Sequence, residues 1–139
     1  MSFDVLGDLN WLAVIVATIA YFALGAIWYA PAVFGNTWMR AGGFEVPEQP
    51  QTAFYVVPFL TCLLATIVVG MLAFATGSDT LGEGIVLGLL TGVGIAFSAL
   101  LVTGFFDPQK PQAMVWVAIV SGYHVVGLVI AASILGAWT

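Results

Sequence analysis

Four long apolar stretches, separated by short polar segments, dominate the 139-residue chain. They cover approximately residues 12–30, 53–76, 84–106 and 113–138. Each is close to or longer than the roughly 20 residues that an α-helix needs to cross the hydrocarbon core of a bilayer. We therefore predict an all-α, integral membrane four-helix bundle, formed as a single domain by residues 1–139. Because the number of crossings is even, both termini are expected on the same side of the membrane.

The charge content indicates that lipid, rather than water, surrounds most of this chain. Only 6% of the residues are charged and 62% are hydrophobic, whereas a soluble domain carries roughly a quarter of its residues as charges. The net charge of −5 excludes the basic patch that nucleic acid requires. The single cysteine, Cys62, leaves no disulfide framework and no Cys/His spacing typical of a metal site. We expect a lipid bilayer as the surroundings, with no nucleic acid partner and no bound metal.

Aromatic residues mark the ends of the apolar stretches. Indole and phenol rings favour the membrane–water interface, where one edge of the ring meets water. In the first loop, residues 31–52, Phe34 and Trp38 are four residues apart, so an interfacial helix and an irregular loop with aromatic anchors both fit the sequence. The predicted interfacial anchors are Trp11, Trp28, Tyr29, Trp38 and Trp138.

A row of small residues runs along the third stretch at a spacing of four. It comprises Gly84, Gly88, Gly92 and Ala96. Residues four apart share one face of an α-helix, and a face without side chains lets another helix backbone approach closely. We predict the tightest helix crossing at this face, within the chain or between copies, and we expect a homo-oligomer to assemble through it.

The two basic residues predict an orientation in the membrane. Arg40 lies in the loop 31–52 and Lys110 lies in the loop 107–112. Because loops rich in lysine and arginine stay on the cytoplasmic side, both loops are expected in the cytoplasm and both termini outside. The membrane predicted for this topology is the bacterial inner (plasma) membrane.

Several aromatic and glycine positions resemble a known family. The bacterial membrane family called domain of unknown function 1761 is similar in these segments. The resemblance implies a small four-helix inner-membrane protein without established biochemistry, and it supplies no catalytic residues. The segments that carry it are Asn10-Trp11-Leu12-Ala13-Val14, Leu24-Gly25-Ala26-Ile27-Trp28-Tyr29-Ala30-Pro31, Phe34-Gly35-Asn36-Thr37-Trp38-Met39, Gly122-Tyr123-His124 and Gly136-Ala137-Trp138.

The final stretch contains the only histidine of the chain, His124. It lies about 11 residues inside that stretch, roughly 16 Å along a helix and so near the middle of the bilayer. An ionisable group at this depth is costly and marks a candidate site. His124 shares a small, more polar face with Ser121 and Gly127, whereas Tyr123 lies on a bulkier face. We predict an intramembrane polar site formed by His124, Ser121 and Tyr123, with the imidazole pointing into the bundle.

Three interpretations of His124 remain open at this point. A hydrogen bond to a free carbonyl or to the hydroxyl of Ser121, Thr61, Thr66 or Thr91 would tighten helix packing. A proton relay or substrate contact in a pore would use its titration near neutral pH. Its imidazole would also suit an axial ligand of haem or a pigment.

The remaining motifs argue against known catalytic chemistry. No carboxylate lies inside a predicted span, and neither the serines nor the cysteine have an adjacent base in the sequence. We expect a non-enzymatic structural, accessory or binding subunit without a cofactor. The alternative is an oligomeric channel or transporter for a small neutral or weakly acidic solute, with His124 lining the path. A membrane enzyme that acts on a lipid or quinone comes third.

Overall fold

Helices form almost all of the regular structure. The structure is a computed structural model that describes residues 2–138, and none of these residues forms a strand. A short 3-10 turn, Phe3–Gly7, comes first, and two π-helices occur at Pro31–Gly35 and Gly92–Phe97. The α-helices are α1 (Trp11–Trp28), α2 (Asn36–Gly42), α3 (Ala53–Thr76), α4 (Leu81–Thr91), α5 (Ser98–Phe105) and α6 (Ala113–Ala137).

Four helical segments are long and apolar enough to cross a membrane. They are α1, α3, α6 and the continuous helix Leu81–Phe105, which joins α4, the π-helix Gly92–Phe97 and α5. We call Leu81–Phe105 the third span. The largest difference from the predicted boundaries is at its start, residue 81 instead of 84. The predicted all-α, four-helix membrane architecture is confirmed.

Helix α6 is the centre of the bundle. It packs against α1, α3 and the third span, whereas no comparable packing joins α1 to the third span. Half of its most apolar 18-residue window is buried, compared with 17% of the corresponding window of the third span. The other three spans therefore surround α6 and present most of the apolar surface to lipid.

The glycine face of the third span packs directly on the backbone of α6. A Cβ atom added at Gly84 would collide with the carbonyl of Ala132, and one added at Gly88 would lie 2.5 Å from the Cα atom of Val129. One turn further along, a Cβ atom added at Gly92 would lie 2.9 Å from the Cα atom of Val125. Because α6 already covers this face, the homo-oligomer contact that the sequence suggested there would have to use a different surface.

One end of the bundle brings together the start of α1 and the end of α6. The side-chain oxygen of Asn10 accepts a hydrogen bond from the main chain of Ala13 and so caps α1. Its side-chain nitrogen donates to the carbonyl of Trp138 over 3.1 Å. At the same end, Thr80 and Glu83 form a reciprocal capping box at the start of the third span. Both ends of the described chain thus lie on one side, together with the second loop, residues 77–80.

The first loop closes the opposite end of the bundle. Its π-helix Pro31–Gly35 runs directly into α2, and α2 packs on α6. The main-chain N–H of Gln112 donates to the carbonyl of Ala41 over 3.1 Å, which ties the first loop to the third. Of the two alternatives for this loop, the structure shows the short helix.

Both basic residues lie at this same end. Arg40 donates a hydrogen bond to the hydroxyl of Thr37. Lys110 pairs with Asp107, and its ammonium group lies 4.4 Å from the centre of the Trp116 ring. The hydrogen bond from Lys110 holds the pKa of Asp107 below its usual value, and the main-chain N–H of Gln109 adds to the effect.

Candidate functional site

Four side chains from three spans meet in the middle of the bundle. The hydroxyl of Tyr21 lies 2.6 Å from Nδ1 of His124. The hydroxyl of Tyr123 lies 3.4 Å from Sγ of Cys62 and 3.4 Å from the carbonyl oxygen of Tyr21. We call Tyr21, Cys62, Tyr123 and His124 the central polar cluster. It links α1, α3 and α6, and every member except His124 is buried.

Glycines make room for the rings of this cluster and of its neighbours. The ring of Tyr21 lies on Gly127, where a Cβ atom would overlap it. In the opposite direction, the hydroxyl of Tyr123 lies 3.2 Å from the position that a Cβ atom would take on Gly25. Each helix therefore has a glycine where the phenol of the other helix packs, Gly25 in α1 and Gly127 in α6. These two contacts fix the spacing between α1 and α6.

The hydrogen-bond partner of His124 in the structure differs from the predicted ones. The sequence suggested a free carbonyl or one of four hydroxyl groups, those of Ser121, Thr61, Thr66 and Thr91. Each of these hydroxyls instead donates to a main-chain carbonyl three or four residues earlier in its own helix. The predicted hydroxyl bonds are wrong because a helical serine or threonine has such an acceptor within reach. Tyr21 is the partner, and Ser121 does not contact the imidazole by a hydrogen bond.

Tyr123 belongs to the same cluster as His124, although the sequence placed it on a different face of α6. On its bulkier face only Ile119 and Tyr123 are buried, and the hydroxyl of Tyr123 points towards α1 and α3. The ring centres of Tyr123 and Tyr21 are 5.3 Å apart. Sequence reasoning missed Tyr21 and Cys62 as members of the site. The available signal was a phenol halfway along α1, at the depth predicted for His124.

A column of aromatic rings connects the first loop to the cluster. Trp38 lies 4.6 Å from Tyr29, and Tyr29 lies 5.3 Å from Tyr123, measured between ring centres. Trp28 packs beside this column, and its indole N–H donates to the carbonyl of Ile119 over 3.0 Å. Three of the predicted interfacial anchors therefore take part in packing the bundle.

The other two predicted anchors remain at the surface. Trp11 and Trp138 are exposed at the end of the bundle that holds the chain ends. The indole N–H of Trp11 donates to the carbonyl of Leu6 in the segment before α1. This placement suits rings that lie where the bilayer meets water.

Two clefts lie at the ends of the bundle, away from the central polar cluster. One, of about 650 Å³, opens beside Arg40 and Glu45 in the first loop. The other, of about 290 Å³, lies between α1, α3 and α6 beside Asp8 and Asp79. Neither includes a residue of the cluster. Within the cluster the helices contact one another directly, and Nε2 of His124 has no hydrogen-bond partner among residues 2–138.

Comparison with known proteins identified one family. A family model described as "Protein of unknown function (DUF1761)" matches residues 12–136. The match includes all four spans apart from the terminal residues Trp11 and Ala137, and every member of the central polar cluster. Comparison with curated proteins gave no match, and comparison with solved structures gave none either.

Proposed function

The chain belongs to the DUF1761 family of proteins of unknown function, and we propose that it is a non-enzymatic membrane protein that acts as a binding or accessory subunit. The observation that carries this proposal is the direct contact between spans at the centre of the bundle. There Tyr21 contacts His124 directly, and Tyr123 contacts Cys62. A conducting path needs space for water or solute between its polar groups, and direct helix-to-helix hydrogen bonds occupy that space.

The positions of the reactive groups also favour binding over catalysis. The phenol of Tyr21 and the thiol of Cys62 are buried between spans. A general acid or base has to come within hydrogen-bond distance of its substrate. Helices would have to separate before a substrate reached either group.

The outer surface offers room for a partner within the bilayer. Residues 53–60, at the start of α3, are exposed on every side of the helix. The segment is apolar, and within it the ring of Phe59 packs on Phe22 of α1. An accessory subunit needs such a surface, because packing and shape complementarity drive helix association in lipid.

Two measurements on the wild-type protein test this role. We expect native mass spectrometry from mild detergent to show a retained partner chain or a tightly bound lipophilic molecule. In liposomes we expect fluxes of glycerol, urea and acetic acid no higher than in protein-free liposomes.

The transport alternative predicts the opposite pattern. A flux above the protein-free level that disappears in His124→Ala would overturn the binding role and support a path lined by His124. A preparation that contains only this chain and freely exchanging lipid would also count against an accessory subunit.

We further propose that the chain lies in the inner (plasma) membrane with loops 31–52 and 107–112 in the cytoplasm and both termini outside. Arg40 and Lys110 lie at the end that would face the cytoplasm, and the opposite end carries Asp8, Asp79 and Glu83. This charge asymmetry agrees with the positive-inside rule.

Reporter fusions test the orientation. An alkaline phosphatase fused after residue 139 is expected to be active, because it folds only outside the cytoplasm. In a second fusion, a green fluorescent protein attached after residue 139 is expected to be dark, because it does not become fluorescent when it is exported unfolded. A fluorescent protein that is bright after residue 139, together with a phosphatase that is active in the loop 107–112, would show the inverted topology.

A further inference from the structure

The turn at the end of α2 forms part of the larger of the two clefts, which we call the first-loop cleft. Gly43 has a left-handed main-chain conformation, with a φ of +72°, and its N–H and that of Phe44 both donate to the carbonyl of Met39. This arrangement ends the helix and reverses the direction of the chain. The ring of Phe44 then packs across Gly42 onto the ring of Trp38, with the two ring centres 4.6 Å apart. Local packing therefore holds the turn in one conformation.

The third loop supports the same turn. A Cβ atom added at Gly43 would lie 2.9 Å from Cδ of Pro111. The main-chain N–H of Gln112 donates to the carbonyl of Ala41, which is buried in α2. The main chain on both sides of the turn is therefore held in place, and the cleft beside it is a lasting feature of the fold.

This turn brings one positive and one negative side chain to the first-loop cleft. The cleft, of about 650 Å³, is lined by Arg40 from α2 and by Glu45, two residues after Gly43. Its volume lies within the roughly 300–1,000 Å³ that is usual for small-molecule sites. Among residues 2–138 the single ion pair joins Lys110 to Asp107, so Arg40 and Glu45 are not paired with each other. The cleft therefore offers a separate cation and a separate anion to a ligand.

Arg40 keeps most of its hydrogen-bond donors for such a ligand. A guanidinium group has five N–H donors, and one nitrogen of Arg40 donates to the hydroxyl of Thr37 over 3.4 Å. Guanidinium groups bind phosphate oxygens through two parallel hydrogen bonds, and carboxylates such as Glu45 accept strong hydrogen bonds from ammonium groups. A small group that carries both a phosphate and an ammonium would thus match the two side chains.

The position of the cleft indicates a ligand from the membrane itself. Helix α1 ends at Trp28, α3 begins at Ala53, and the cleft lies in the loop between these two spans. Headgroups occupy this level, since they extend the bilayer from a core of about 30 Å to about 40–45 Å. Met39 and Phe44 add apolar surface to the lining, which suits the carbon chains that continue from a headgroup.

We propose that the first-loop cleft binds the headgroup of phosphatidylethanolamine, with the phosphate on Arg40 and the primary ammonium on Glu45. An anionic phospholipid places the same phosphate on Arg40 but leaves Glu45 without a partner. It also meets repulsion, because Glu45 and Glu48 outnumber Arg40 in this loop while Lys110 and Asp107 neutralise each other. A choline headgroup has no N–H donor for Glu45. The zwitterionic headgroup with a primary ammonium therefore complements both charges.

The lipid site does not depend on the proposed accessory role. That role predicts a retained partner chain, whereas the lipid site is judged by which headgroup the wild type and its variants prefer. If the preference is absent while a partner chain is retained, the accessory role stands and the lipid site falls. A preference without a partner chain would support the lipid site alone.

Native mass spectrometry of delipidated protein measures the preference. The protein is titrated in mild detergent with phosphatidylethanolamine, phosphatidylglycerol or phosphatidylcholine of identical acyl chains, and the fraction with one bound lipid gives an apparent Kd. We expect the Kd for phosphatidylethanolamine to be about fivefold lower than for the other two lipids, as one exposed charge pair allows. O-phosphoethanolamine, which has the headgroup without the acyl chains, is expected not to compete at equal concentration.

Three substitutions assign the preference to the cleft. We expect Arg40→Gln to weaken the binding of all three lipids about fivefold, because each phosphate loses its partner. Glu45→Gln is expected to remove the preference for phosphatidylethanolamine. Glu48→Gln changes the same charge in the same loop outside the cleft lining, and we expect it to keep the wild-type preference. All three side chains are exposed, so the fold is expected to tolerate each change.

Several results would overturn the lipid site. They are equal affinity of the wild type for the three lipids, tighter binding of phosphatidylglycerol, and a preference that survives Glu45→Gln. Loss of the preference in Glu48→Gln as well would assign it to the general charge of the loop and overturn the site. Full competition by O-phosphoethanolamine would assign the cleft to a soluble ligand and overturn it too.

Discussion

Replacement of Gly88 by leucine is expected to separate the third span from α6 and to leave little correctly folded protein. A Cβ atom at this position would lie 2.5 Å from the Cα atom of Val129, and a backbone atom cannot rotate away as a side chain can. Overpacking typically costs about 1–3 kcal/mol, and a branched side chain between two touching backbones belongs at or above the upper end. Since α6 holds all the other spans, the damage would spread through the bundle.

The control for this experiment lies in the same span. Gly94 has no atom within 4 Å of the position where its Cβ atom would be, so Gly94→Leu adds the same side chain towards open surface. We expect Gly94→Leu to give a normal yield of monodisperse protein and a thermal midpoint close to that of the wild type. Equal behaviour of the two variants would show that the close approach of the third span to α6 does not hold the bundle together.

Hydropathy predicted the spans well because lipid imposes a simple requirement. Each crossing needs enough apolar residues with all backbone groups paired, and helices meet both conditions. The starts predicted for α3 and α6, residues 53 and 113, coincide with those in the structure. The partner of the glycine face was harder to predict, because a smooth face shows only that some helix approaches. The sequence does not state whether that helix belongs to the same chain.

The π-helix in the third span was not predictable from residue spacing. A spacing of four aligns Gly84, Gly88, Gly92 and Ala96 only while the helix is regular. Each hydrogen bond of a π-helix reaches one residue further than in an α-helix, so the register changes after Gly92. Ala96 is accordingly only partly buried, while the three glycines lie against α6.

His124 itself was predicted as a polar site, but its partner was not. Tyr21 is 103 residues away in the sequence, and only the folded bundle brings the two together. Chemistry still distinguishes the candidates. A serine or threonine in a helix reaches the carbonyl of its own preceding turn, as Ser121 does with Val117. The hydroxyl of a tyrosine is too far from its own backbone to do so, and inside a membrane it must find an acceptor on another helix.

Gly127→Ala is expected to displace the ring of Tyr21 and to break its hydrogen bond with His124. The added methyl group would overlap the ring, so either α1 moves away from α6 or the phenol leaves the cluster. Overpacking of this kind costs about 1–3 kcal/mol of unfolding free energy, in addition to the hydrogen bond. The 15N spectrum of His124 reports the bond directly, because Nδ1 loses its hydrogen-bond partner and the ratio of the two tautomers changes.

A double-mutant cycle with Tyr21→Ala separates this steric effect from a general effect of changing α6. Once the ring has been removed, the methyl group at residue 127 has space, and alanine is a better helix former than glycine by roughly 1 kcal/mol. Gly127→Ala should therefore be neutral or stabilising in the Tyr21→Ala background, although it is destabilising alone. The effects of mutations at two residues in direct contact are expected to be non-additive in this way. Additive effects on the unfolding free energy would contradict the fit of Tyr21 on Gly127.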